Sequence, residues 1–169
     1  MRNLVIELIF AEKQGSQLNR TMDKIIVRKA WETDYDFILE AHAAIAGVSK
    51  QKEGLSKNWI ENDILCKKPK AKVLIATIDN RPVGMILYAL NYFAGDGAVV
   101  WVSQLYVAKE FRGIRVARAL LEALRDKNKD SVGIVWATTP ANNRAYKFFE
   151  LKGAKALKEF TLFYKDWKF

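Results

Sequence analysis

The chain has 169 residues, half of them hydrophobic, and carries 28 Lys and Arg against 19 Asp and Glu, a formal charge of +9. That length suits one domain with one core, and the apolar content excludes a globally disordered chain. One cysteine, Cys66, excludes an intramolecular disulfide, and a single histidine argues against a zinc site built by the protein itself. No apolar run is long enough to span a membrane. Residues 4–11 are apolar but short, are interrupted by Glu7 and lack a small-residue cleavage site, so a signal peptide is not expected and a reducing cytoplasm is. The positive balance favours anionic partners, nucleic acid among them, although scattered lysines also describe a plain solvated surface.

Residues 1–21 read as an extension, because the polar stretch 14–20 separates them from Met22, where a compact domain over 22–169 begins. Residues 25–28 read as a strand. Thr33 offers an N-cap, with Asp34 and Asp36 in the first turn of a helix that ends near Gly47. Phe37, Ile38, Ala41, Ala44 and Ile45 mark its apolar face, and His42 is expected beside that face, exposed. A second helix is expected over 54–67, with Trp59, Ile60 and Ile64 inward, and the lysines of 67–72 form a solvated turn. Strands follow at 73–78 and 83–92, joined by a hairpin at Asp79-Asn80-Arg81, with Pro82 opening the later strand.

Residues 99–107 are rich in β-branched and aromatic side chains, the composition of a buried strand. Val116, Ala119, Leu120 and Leu124 then place apolar groups on one face of a helix. With a strand at 132–137 this makes a β-α-β crossover and a parallel pair, so the sheet is mixed and the fold class is α/β. A helix over 142–153 has Asn142 as its cap, Ala145, Phe148 and Phe149 as its apolar face and Gly153 as its stop. A last strand is expected at 159–164.

The turn between the central strand and its helix holds Lys109, Arg112 and Arg115, opposed only by Glu110. A helix start exposes unpaired N–H groups and partial positive charge, so this turn can hold a phosphate, and Gly113 permits close approach or a positive φ. A strand, a basic turn and a helix also occur together with no phosphate bound.

Leu105-Tyr106-Val107, followed by Phe111-Arg112-Gly113-Ile114-Arg115-Val116-Ala117-Arg118-Ala119-Leu120-Leu121, resembles the acyl-CoA motif of the GNAT N-acetyltransferase superfamily, Arg/Gln-x-x-Gly-x-Gly/Ala. Arg112 fits its first position and Ala117 its last, while Arg115 stands where the central glycine is usual. Asn142 to Ala145, Phe148-Phe149-Glu150 and Gly153-Ala154 resemble a later segment of the same enzymes. The closing Glu159-Phe160-Thr161 and Tyr164 are similar to the small-amine subgroup, which includes diamine acetyltransferases. The resemblance runs from residue 24 to about residue 167.

It implies a GNAT fold, with a central, mostly antiparallel mixed sheet, a parallel β4/β5 pair and flanking helices. It implies transfer of an acetyl group from acetyl-CoA to a primary amine, on a small molecule or a protein, by direct attack in a ternary complex and without a metal. By the same resemblance, Leu105, Tyr106 and Val107 contact the pantetheine arm. Arg112, Gly113, Ile114, Arg115, Val116, Ala117 and Arg118 surround the pyrophosphate, and Asn142 and Phe149 lie beside the CoA arm. The family's acid tyrosine maps onto Phe149, which has no proton to give, and the central-strand positions that carry acids in diamine acetyltransferases hold Ser103 and Gln104 here. Tyr146, Tyr106 and Gln104 are the substitutes kept as catalytic candidates. The family also places the acceptor beside the first helix, where Glu40 could attract an amine and His42 could take a proton near neutral pH. A homodimer is expected by resemblance alone. The alternatives are a catalytically weak CoA-binding or regulatory module, and acylation of charged tRNA.

Overall fold

The computed structural model describes residues 25–49, 57–92, 97–138 and 142–157. These divide into one unit ending at Ala137 and another beginning at Thr138. The expected leader 1–21, the start of the second helix at 54–56, the turn at 93–96 and the strand at 159–164 lie outside the described residues.

Runs of β-branched and aliphatic residues commit the first unit to a five-stranded sheet. β1 (Ile26–Lys29), β2 (Lys72–Ile78), β3 (Arg81–Tyr92), β4 (Ala98–Val107) and β5 (Gly133–Trp136) lie side by side in chain order. β1 to β4 pair antiparallel and β4 pairs β5 parallel, the mixed sheet expected from the crossover. Asp79 and Asn80 join β2 to β3 with φ of 48° and 64°. Two positive φ angles match the right-handed strand twist, and Asp and Asn tolerate them.

β2 and the middle of β3 are buried on both faces, so their alternate residues feed two separate cores. On one face Leu74, Ala76, Ile86, Val100 and Val102 pack with Val116, Leu120 and Leu124 of α3 (Val116–Lys127). On the other, Val73, Ile75, Met85 and Leu87 pack with Ile38 and Ala41 of α1 (Tyr35–Ser49) and with Ile60 and Ile64. The last two belong to a π-helical segment, Ile60–Ile64, that continues the single turn α2 (Lys57–Trp59). The expected helix over 54–67 is therefore shorter at its end and wider in its winding. Asp63 holds the chain beyond it, its carbonyl accepting from the Lys70 N–H at 3.0 Å and its carboxylate meeting Lys70 Nζ at 2.7 Å.

The start of α1 departs from expectation. Thr33 does not cap it; a 3₁₀ turn at Glu32–Asp34 comes first, and Trp31 occupies the cap position. Asp34 is 2% exposed and reaches back to accept the Trp31 N–H at 2.7 Å. Arg28 donates to both its oxygens, at 2.6 and 2.9 Å. A buried carboxylate so fully bonded outcompetes a threonine hydroxyl for control of the turn.

The second unit contains α4 (Asn143–Leu151). Asn142 Oδ1 accepts the Ala145 N–H at 3.1 Å, the expected cap, and Gly153 closes the helix with φ of +82°.

Candidate functional site

The central relationship is between the last four residues of β4 and the turn that follows. The Ala108 N–H donates to the Val83 carbonyl at 2.9 Å, and Tyr106 and Gln104 lie opposite Met85 and Leu87. In an antiparallel ladder, bonded pairs alternate with unbonded ones. The main-chain groups of Gln104 and Tyr106 therefore turn toward β3, while those of Leu105 and Val107 turn away from it. β5 would receive them, but it pairs only with Val99 to Val102. Among the described residues, no strand extends that pairing past Val102.

A bulge sits at the point where β4 loses this neighbour. Leu87 faces Gln104 while Tyr88 faces Val102, so Ser103 is an extra residue. A bulge bends its strand and raises its twist, which fits the end of the β4–β5 pairing there.

Beyond Val107 the chain makes a 3₁₀ turn at Lys109–Phe111 and returns to the open edge. Arg112 Nε donates to the Val107 carbonyl at 3.0 Å, tying the basic turn to the strand. Gly113 takes φ of +90°, and among the described residues beyond its chain neighbours no atom lies within 4 Å of where its Cβ would be. Arg115 is the N-cap of α3 and adopts a left-handed φ of 68°, with no side-chain hydrogen bond from the cap. That is the conformation a glycine takes most freely, which explains why glycine is usual at this place in the motif. Ala119 N–H to Arg115 O, at 3.0 Å, is the first bond of the helical ladder, so the amides of Val116, Ala117 and Arg118 precede it without helical acceptors. Arg118 pairs with Glu122 at 2.7 Å.

The helix start is held against the sheet by Gly84. A Cβ there would lie 2.8 Å from Val116 Cγ1 and 3.0 Å from the Tyr106 carbonyl oxygen. Only a bare backbone lets α3 approach this closely. The arrangement can receive an anion at the helix start and an extended amide-bearing chain along the strand edge.

On the opposite face of β4, Gln104 and Tyr106 point into the layer covered by α1. The Tyr106 ring meets Phe37 edge-on, with centroids 6.1 Å apart. Burial pushes its phenol above the ordinary value, Glu40 adds to the rise, and the Arg112 guanidinium opposes it. His42 corrects the sequence reading: it is only 7% exposed, and its Nδ1 lies 2.5 Å from Gln104 Nε2. Ile38, Ala41, His42 and Ile45 follow the i, i+3, i+4, i+7 rhythm, whereas Ala44 is exposed. The signal for its burial was thus present in the spacing, masked by counting Ala44 into the apolar face. His42 Nε2 and Gln104 Oε1 are both buried without a hydrogen-bond partner among the described residues.

A further concavity of about 380 Å³, lined by Glu32, Tyr35, Glu61 and Leu65, lies at the start of α1. Among the described residues, no group of three His, Cys, Asp or Glu could hold a metal ion, and no helix is long and apolar enough to cross a membrane.

Leu105, Tyr106, Val107 and the turn Arg112 to Arg118 are thus brought together within the first unit, the side chains of Gln104 and Tyr106 lying on one face of β4 and those of Leu105 and Val107 on the other. Asn142, Tyr146 and Phe149 belong to the second unit. There Asn142 caps α4, Tyr146 is exposed, and the Phe149 ring packs edge-on against Phe148.

Residues 29–153 match the acetyltransferase (GNAT) family. No curated protein matches the sequence. Solved structures share the fold at low identity. An integron cassette protein from the mobile metagenome of V. cholerae is similar with a TM-score of 0.71 at 15% identity, over 86% of this chain and 94% of that one. The aminoglycoside N-acetyltransferase AAC(6')-Iy, solved in complex with CoA, gives 0.68 at 19%, over 85% and 95%. A ribosomal-protein-alanine N-acetyltransferase from Brucella melitensis biovar Abortus 2308 gives 0.65 at 18%, over 83% and 99%.

Proposed function

Since this chain belongs to the GNAT acetyltransferase family, we propose that it transfers an acetyl group from acetyl-CoA to a primary amine. The observation that carries this reading is the open edge of β4 leading directly into the uncapped start of α3. The residues present fit the donor. Leu105 and Val107 offer outward main-chain groups to the amides of a pantetheine arm. Gly113 leaves open space beside the turn, and the amides of Val116, Ala117 and Arg118, which precede the first helical bond, suit a diphosphate. Arg112 and Arg115 add positive charge at the same place.

Bound there, acetyl-CoA supplies a thioester whose carbonyl carbon is the electrophile. The chain's own part is to bind, orient and polarise. The Leu105 N–H, facing the open edge, is the donor we assign to the thioester oxygen, where negative charge develops during attack. Val107, held by Arg112, fixes the arm's direction.

A small-molecule amine or a protein amino group is the acceptor class we propose. AAC(6')-Iy and the ribosomal-protein-alanine N-acetyltransferase are named for one of each kind. A second reading, a CoA-binding module with weak catalysis, is favoured by Phe149, a side chain without a proton at the place of the family's acid tyrosine. Release of free thiol from acetyl-CoA separates the two. Amine-dependent release supports the enzyme, and binding of acetyl-CoA without release on an amine panel supports the module.

A further inference from the structure

We infer that Arg81, on the β2–β3 hairpin, is a positioning residue for the diphosphate turn: it holds the turn to the sheet through Glu110 and Phe111 and matches the turn's one carboxylate with its own charge. The inference rests on the acetyl-CoA binding proposed above and concerns that same site.

Arg81 stands on a rigid base. It follows Asp79 and Asn80, whose positive φ angles close the hairpin, and it faces Ile78 across the turn. Pro82 comes next, and a proline restricts the residue before it to extended backbone. From this base the side chain reaches the 3₁₀ turn Lys109–Phe111. Its Nη2 donates to Glu110 Oε1 at 3.3 Å, and its guanidinium carbon lies 5.5 Å from the centre of the Phe111 ring. Phe111 in turn packs against the core that contains Val116 and Leu120. One side chain thus engages two consecutive residues of the turn, one by charge and one by its ring face.

The contact extends the ladder between β3 and β4. Gly84 faces Val107 at the end of the register, and the Ala108 N–H then donates to the Val83 carbonyl at 2.9 Å. Glu110 lies two residues after Ala108 and Arg81 two before Val83. Their side chains therefore continue the pairing where the main chains part. Arg112 ties the same turn from within, to the Val107 carbonyl. The basic turn is held by two guanidinium groups, one from its own chain segment and one from the neighbouring hairpin.

Charge gives the contact a second consequence. From Lys109 to Arg118 the chain carries Lys109, Arg112, Arg115 and Arg118 against Glu110 alone. Arg118 is matched by Glu122, and Glu110 by Arg81. Without Arg81, an uncompensated carboxylate would stand two residues from Arg112 and repel the diphosphate, since charges act over about 8 Å at physiological salt. Both partners are more than half exposed, so water screens the pair and the effect is modest. A loss of affinity smaller than that expected from Arg112→Glu follows.

Calorimetric titration of acetyl-CoA into the full chain tests this with Arg81→Gln, Arg81→Lys, Glu110→Gln and the double variant Arg81→Gln/Glu110→Gln. Arg81→Gln is expected to raise the dissociation constant about fivefold at low ionic strength, the difference shrinking as salt rises from about 0.05 to 0.5 M. Arg81→Lys keeps the charge and is expected to recover most of the affinity. Glu110→Gln is expected to improve binding more in the Arg81→Gln background than in the unaltered chain, because only there is its carboxylate uncompensated. A purely structural tie would show neither the salt dependence nor that coupling. An unchanged affinity in Arg81→Gln overturns the inference, and so does an equal effect of Glu110→Gln in both backgrounds. The two failures are distinct. Unaltered protein that binds no acetyl-CoA removes the acetyl-transfer reading and this inference with it, whereas binding indifferent to Arg81 removes only the role of this residue.

Discussion

Arg112 Nε donates to the carbonyl of Val107 at 3.0 Å, so the basic turn is anchored to the strand edge that it follows. The guanidinium is exposed and its contact is local. Arg112→Glu therefore leaves the melting temperature within a few degrees but places a carboxylate where a diphosphate is proposed to bind. The dissociation constant for acetyl-CoA is expected to rise tenfold or more, about 1.4 kcal/mol, measured by calorimetry at fixed ionic strength.

Gly84→Ala tests whether the helix start is held in place by close packing. The new Cβ would fall 2.8 Å from Val116 Cγ1 and 3.0 Å from a carbonyl oxygen of the strand. Neither the first residue of α3 nor the main chain of β4 yields easily. A loss of about 1–3 kcal/mol in denaturant unfolding is expected, together with weaker acetyl-CoA binding, because the amides of Val116 to Arg118 move with the helix.

The His42–Gln104 contact predicts an unusual pattern of stabilities. His42→Leu alone leaves the Gln104 amide without its partner in an apolar layer and is expected to cost about 1–3 kcal/mol. The double variant His42→Leu/Gln104→Leu removes both polar groups and both of their unsatisfied atoms. It is expected to be as stable as the unaltered protein, or more so, in urea unfolding. A double variant less stable than either single one would contradict this account of the pair.

Tyr88 sets an alkaline limit. Burial raises its phenol above 10.0, against a smaller lowering by the Asn128 side chain. The folded state thus holds this proton more tightly than the unfolded chain does. Its contribution to stability is complete below the unfolded value near 10.0 and is lost as pH rises from there through the folded value. Tyr106, raised mainly by burial and also by Glu40, acts in the same direction. Tyr88→Phe should therefore flatten the fall in stability above pH 10 and leave the neutral region unaffected by titration, as read from unfolding curves between pH 7 and 11.

Most of the sheet was legible because β2, β3 and β4 are long, apolar and separated by turn residues with one clear meaning. Asp79-Asn80 announces a hairpin, and the crossover from β4 through α3 to β5 dictates a parallel pair. Local competition was not legible. Thr33 is a good cap in isolation, but Asp34, fixed by Arg28, displaces it. His42 lies one turn from Ile38 on the buried face, while Ala44, expected on that face, is exposed, so the apolar stripe is rotated from the one its hydrophobic residues alone suggest.

At the site, the basic turn and the glycine stood out in the sequence, but the bulge at Ser103 did not, since no residue type demands it. Arg115 stood out as a departure from the motif's glycine, but its backbone did not: a non-glycine residue holds the left-handed conformation at the helix start, at a cost of about 1 kcal/mol.

The most direct measurement of the central claim is calorimetric titration of acetyl-CoA into the full chain, repeated with Arg112→Glu and Gly84→Ala. The account predicts saturable binding at one site, weakened at least tenfold by Arg112→Glu and also reduced by Gly84→Ala. No heat of binding, or an affinity indifferent to both substitutions, would contradict it.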